Sequence, residues 1–141
     1  MKINSLTPYL HYEDAGAACD WLSRVLGFSE IARFLDAEGV VREAEMTVGN
    51  TELWFAGHGA GYWEAHNRRP HELTLVWVDD IDTHHARAIA AGAIADPPVD
   101  KPYGVREYTL VDPEGYKWGV MQRLPTPVRL QEGWREVRSD K

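Results

Sequence analysis

Short runs of largely alternating apolar and polar residues recur along the chain, at 6–12, 28–35, 40–48 and 51–56, and again at 71–78, 104–111 and 116–123. Alternation of this kind predicts half-buried strands. Two segments have a helical period instead. Ala18, Trp21, Leu22, Val25 and Leu26 make one apolar stripe within 15–26, and residues 81–91 form the second helix. Asp14 is an N-cap candidate for the first, and Asp80 or Asp82 for the second. Gly27 and Gly92 stop them. A short, weaker strand is expected within 93–99.

The order β-α-β-β-β therefore occurs twice. Leu10-His11-Tyr12-Glu13-Asp14, a helix and Gly27 lie over Val76-Trp77-Val78-Asp79-Asp80, a helix and Gly92. The offset is about 65 residues, with too few copies for a solenoid. The predicted fold class is α+β: two tandem βαβββ modules, at about 5–57 and 71–123, in one domain spanning 1–141. The tail, 124–141, carries Pro125 and Pro127 and is expected to wrap the surface. Residues 57–70 are Gly-rich, contain Tyr62 and Trp63, and are long for a connection inside a compact domain. They are either a linker or a loop over a site, where Tyr62 and Trp63 close on a ligand or simply dock the loop.

Strand parity divides the side chains between two faces. Leu10, Tyr12, Leu53, Phe55, Val76, Val78, Trp118 and Val120 are expected against the helices. The opposite parity holds Tyr9, His11, Glu43, Glu45, Glu52, Trp54, Leu75, Trp77, Glu107, Thr109, Gly119 and Met121. One helix covers only one face of each small sheet. The halves, or two chains, must curve together around the bare face, and this makes a cleft. The second list mixes aromatic surface with carboxylates and has no lysine. Tyr9, His11, Glu45, Glu52, Trp54, Trp77, Glu107, Thr109 and Met121 are the candidate ligand-binding residues. Rings stack on Trp and Tyr, and carboxylates meet positive charge. The competing reading has the tryptophans filling a core or a subunit interface. Arg106 and Tyr108 fall on the helix side and read as structural.

Composition adds mainly exclusions. The chain has 141 residues, a net charge of -7 and a pI near 5.3. An acidic surface repels phosphate, which argues against a nucleic-acid partner. The single cysteine, Cys19, permits no internal disulfide and reads as a small packed side chain. No apolar run is long enough to span a membrane, and the first residues have no apolar signal core, so a cytoplasmic location is the expectation. No nucleophile–base pair, phosphate-binding Gly loop or paired-Cys metal motif is present.

Three stretches carry a family resemblance: Leu6-Thr-Pro-Tyr-Leu-His-Tyr-Glu-Asp14 with the helix to Leu26-Gly27-Phe28; Val76-Trp-Val-Asp-Asp-Ile-Asp82 with Ala90-Ala-Gly-Ala93; and Pro102-Tyr-Gly-Val-Arg-Glu-Tyr-Thr-Leu-Val-Asp-Pro-Glu-Gly-Tyr-Lys-Trp118. Together they resemble the vicinal oxygen chelate superfamily, which includes glyoxalases, bleomycin-resistance proteins and extradiol dioxygenases, in its glyoxalase-like or PhnB-like branch. The turn Asp112-Pro-Glu-Gly115 makes physical sense for setting the register of the last hairpin.

The resemblance implies a homodimer, often with halves from two chains completing each cleft. In metal-using members it implies one ligand on each of four strands. Those places fall on Thr7, on Glu52 or Trp54, on Leu73 and on Gly119. Leucine and glycine cannot coordinate a cation and threonine is a poor ligand, so no metal is expected there. A divalent metal at a relocated cluster of His11, Glu52 and His71 is the alternative. His84 and His85, adjacent on a helix, do not share a face.

Three functions stay open. The first is metal-independent binding or sequestration of an aromatic small molecule in the cleft, where the carboxylates also suit a positive charge. The second is a glyoxalase-like lyase, isomerase or dioxygenase, with a metal at a rearranged site or with Glu45, Glu52 or His11 as general base. A carboxylate desolvated beside Trp54 would have the raised pKa that suits a base. The third is a structural module whose cleft is filled by its own side chains.

Overall fold

The computed structural model describes residues 1–139. The first module runs β1 (Tyr9–Tyr12), α1 (Ala15–Trp21), β2 (Ser29–Leu35), β3 (Val41–Val48) and β4 (Thr51–Gly57). The second runs β5 (Leu73–Trp77), α3 (Ile81–Ala90), β6 (Val99–Lys101), β7 (Val105–Val111) and β8 (Lys117–Arg123), with the short helix α2 (Tyr62–Ala65) between the two. Each module is a four-stranded mixed sheet, in the orders β1-β4-β3-β2 and β5-β8-β7-β6. The outer strands β1 and β5 pair in parallel with β4 and β8, and the remaining pairs are antiparallel.

Local chemistry accounts for most element ends. The Asp14 carboxylate accepts from the Ala17 N–H at 2.9 Å, and Asp80 accepts from the Thr83 N–H and hydroxyl at 3.1 and 2.7 Å. After Trp21 the first helix widens into a π-type turn over Leu22–Leu26, with Gly27 N–H reaching back to the Leu22 carbonyl. Gly27 then takes φ 81°, a left-handed conformation that only glycine adopts freely. The sixth strand departs from expectation. It begins at Val99 rather than lying within 93–99, because Pro97 and Pro98 have no N–H for a ladder.

One shared core joins the modules. It is built from the helix-side positions of both sheets and from the helices: Tyr12, Leu22, Phe28, Phe55, Val76, Tyr108, Trp118 and Val120 among others, with Leu10 and Val78 partly buried against them. Phe28 meets Trp118 edge-on at 5.6 Å between ring centres. The His84 ring bridges the Tyr108 hydroxyl at 2.7 Å and the Leu26 carbonyl at 3.1 Å. Cys19 is fully buried, and burial pushes its thiol up to about 11, as befits a packing residue.

This arrangement changes one expectation. The modules join through their helix-bearing sides, and each sheet keeps its other face open, so a single chain carries two half-clefts. The tail, residues 124–139, has no helix or strand. It is tied back by Leu124 N–H to Gly104 O at 2.9 Å and Arg129 N–H to Pro102 O at 2.6 Å. The last two tail residues, Asp140 and Lys141, lie outside the described residues. No helix among the described residues is long and apolar enough to cross a membrane.

Candidate binding faces

Strand register aligns the candidate residues of the first sheet in rows. Tyr9 pairs with Trp54, and Trp54 with Glu45; His11 pairs with Ala56, and Ala56 with Glu43. Since side chains of paired residues share a face, Tyr9, Trp54 and Glu45 form one row and His11 and Glu43 flank the small Ala56 in the next. Glu52 lies two residues before Trp54 on the same face. Trp54 and Tyr9 remain 36% and 42% exposed, although aromatic rings usually hide. The Tyr9 hydroxyl donates to Glu43 at 2.5 Å, and this bond, more than its slight burial, pushes the hydroxyl up to about 12. The Trp54 indole N–H donates to Glu52 at 2.9 Å, which fixes the ring and leaves Glu45 as the carboxylate of this row without a side-chain donor among the described hydrogen bonds.

On the second sheet, Trp77 pairs with Met121, and Met121 with Glu107; Leu75 pairs with Gly119, and Gly119 with Thr109. Three details here differ from the reading by parity. Met121 is buried at 7% exposure, so it backs the face rather than lining it. Above Gly119 the face is already filled: a Cβ there would meet the Leu75 and Leu73 methyls at 3.0 and 3.4 Å. The face also has its own cations. The Arg123 guanidinium lies 4.2 Å from the Trp77 ring centre, on a ring surface expected to stack on the ligand. Glu107 is likewise engaged, by the Tyr103 hydroxyl at 2.7 Å and Lys101 at 3.7 Å.

A cavity of about 310 Å³, unmarked in the sequence, opens at the seam between the sheets. Its walls include Pro8, Phe28, Leu53, Val76, Trp77 and Trp118. Of the candidate ligand residues only Trp77 reaches it.

For residues 57–70 the structure takes the docking alternative. Trp63 is buried, its backbone N–H donates to Glu13 at 2.9 Å, and its indole N–H donates to Glu114 at 2.7 Å. The segment is thus docked on the body of the molecule. Tyr62 stacks on His58 with ring centres 3.9 Å apart and planes 7° from parallel, and one nitrogen of His58 lies 2.8 Å from His11 Nδ1. His58 carries no strand pattern and no motif, so nothing along the chain singles it out from the other histidines. Burial, then the neighbouring His11, His66 and Arg42, hold its ring below the ordinary imidazole value.

The usual metal ligands of the fold do not fit this chain. Two of the four places are hydrocarbon or bare backbone, at Leu73 and Gly119, and those residues pack on each other. The relocated cluster is not assembled either. His11 is paired with His58, and Glu52 with Trp54. Among the described residues no three His, Cys, Asp or Glu side chains gather around a common point.

Two βαβββ modules, each with an open sheet face carrying exposed aromatic residues, define a class of protein. The sequence profile of the Glyoxalase/Bleomycin resistance protein/Dioxygenase superfamily matches residues 2–120, and the chain belongs to this family. TioX from Micromonospora sp. ML1 is 33% identical, with 86% of this chain and 99% of that one covered and a TM-score of 0.69. TnmS3, an antibiotic binding protein from Streptomyces sp. CB03234, shares the fold at 23% identity, with 87% and 98% covered and a TM-score of 0.69. The bleomycin resistance determinant encoded on the transposon Tn5 does so at 21% identity, with 86% and 98% covered and a TM-score of 0.64. No curated protein matches the chain.

Proposed function

We propose that this protein binds a small aromatic molecule on its open sheet faces and does so without a metal. The observation that carries this reading is the row Tyr9, Trp54 and Glu45, two exposed rings and a carboxylate held side by side by the strand ladder. The rings offer a flat stacking surface, and Glu45, with Glu43 and Glu52 beside it, favours a ligand that carries positive charge. The antibiotic-binding neighbour TnmS3 and the bleomycin resistance determinant, built on the same fold, support a ligand of the antibiotic type. A complete cleft then comes from two chains, with the first sheet of one facing the second sheet of its partner. The exposed Leu73, Leu75 and Trp77 supply apolar surface for that second wall.

Titrating a panel of cationic aromatic antibiotics, bleomycin among them, against the intrinsic tryptophan fluorescence tests this. Saturable quenching is expected for at least one member. Trp54→Ala should weaken that binding by about tenfold, given ~1.4 kcal/mol for a well-stacked ring. A flat response across the panel would refute the reading.

A further inference from the structure

At one end of the first open face, His11 and His58 share a hydrogen bond, His11 Nδ1 to His58 Nε2 at 2.8 Å. The ring centres are 5.0 Å apart, close to the sum of that bond and the two short distances from nitrogen to ring centre, so the two nitrogens point almost straight at one another. That is the geometry of a shared proton. Two ligands of one metal ion would instead turn their lone pairs toward a third point. Both rings are held in place. The His11 backbone N–H donates to the Tyr116 hydroxyl at 3.2 Å, the His58 backbone N–H to the Tyr12 carbonyl at 2.9 Å, and Tyr62 stacks on His58. Tyr62 in turn lies 4.2 Å from His66 between ring centres.

We infer that His11 and His58 form a proton switch at the edge of the binding face, one that accepts a first proton intact and is broken by a second. In the neutral pair one ring donates and the other accepts. A proton added at the outer nitrogen of the donor ring leaves the bond standing and strengthens it. A second proton removes the acceptor and sets two N–H groups and two charges against each other across 2.8 Å. The Tyr62 stack tolerates a cation, so the failure occurs at the contact between the histidines. The groups facing His58 are His11 on β1, Arg42 and Glu43 on β3, and Tyr62 and His66 on the α2 segment. His66 and Arg42 oppose its protonation with His11, while Glu43 alone favours it. The two protons go on the pair in coupled steps, and the burial and cations around His58 make the second the harder. Its sign follows: the fold prefers the neutral His58 ring, so the arrangement is intact above the ordinary value near 6.5, survives the first proton, and is lost only as the pH falls through the depressed value of His58.

The consequence deepens the binding reading and rests on it. In mild acid the edge of an otherwise acidic face becomes doubly positive, which opposes a cationic ligand.

The switch itself is tested without ligand, by imidazole nitrogen NMR from pH 8 to 4.5 on the full chain, with the Tyr62 ring protons followed in parallel. The two histidines should titrate in two coupled steps, and the Tyr62 signals should move with the second. In His11→Gln the His58 midpoint should rise toward the ordinary imidazole value, and His11→Ala should act in the same direction. His66→Gln should leave the coupling in place. Independent single-step titrations, or a His58 midpoint unmoved by both His11 variants, would overturn the proposal. So would loss of the coupling in His66→Gln alone. A failed antibiotic titration bears on the binding reading only, and leaves these spectra as they are.

Discussion

Asp112 gathers donors from its own turn, from β8 and from β1. It is the one buried charged side chain among the described residues, at 4% exposure. One of its oxygens accepts the backbone N–H groups of Glu114, Gly115 and Tyr116; the other accepts the Tyr12 hydroxyl at 2.5 Å and the Trp118 indole at 3.3 Å. Burial raises its carboxyl while these donors pull it down, and the raising effect wins. Buried against the same carboxylate, the Tyr12 hydroxyl is driven far above its ordinary range. From the sequence this aspartate is a turn former. In the structure it also ties the last hairpin to β1, across the module boundary. Asp112→Ala would strand several buried donors and should lower the unfolding free energy by about 3–5 kcal/mol. Urea denaturation checks this, with Tyr12→Phe expected to cost about 1.5–3 kcal/mol. A loss under 1 kcal/mol in Asp112→Ala would mean that the turn holds without its carboxylate.

At the scale of elements, the strand ladder explains why parity reads so well in the sequence. Tyr12, Leu53, Phe55, Val76, Trp118 and Val120 all lie in the core as their alternation implies, because a shift of one residue would turn every one of them to water. Elements whose identity depends on distant partners are less legible. Residues 57–70 fold into a docked segment because Glu13 and Glu114, far away in sequence, receive Trp63. Tyr62 and His58 acquire their stack only as a result. The end of β4 shows a related constraint. A Cβ at Gly57 would come within 2.1 Å of the Val41 carbonyl oxygen, which cannot move without disturbing β3. Gly57→Ala should therefore destabilise the chain by about 3 kcal/mol, at the upper end of overpacking costs. A thermal melt unchanged from the parent would show that the strand end can yield.

For the whole molecule, the decisive fact is the way the two modules share one core. Helix-side residues of both sheets merge into a single cluster, and this leaves Tyr9 and Trp54 on one face and Leu73, Leu75 and Trp77 on the other exposed. Exposed aromatic and aliphatic side chains grouped on a sheet face call for a cover. Sedimentation at micromolar concentration is expected to give twice the chain mass of 16.0 kDa, and a persistent single-chain mass would leave each face as an independent shallow site.

The duplicated βαβββ pattern, the helix caps and, for most strand residues, the side that enters the core were legible in the chain itself. Each depends on residue type and short-range spacing, and backbone geometry turns these directly into direction. Tertiary structure alone decided that the modules join through their helices, that Arg123 covers Trp77, that Leu73 and Leu75 fill the space above Gly119, and that His11 meets His58. These contacts join side chains brought together only by packing, and periodicity along the chain carries no record of them.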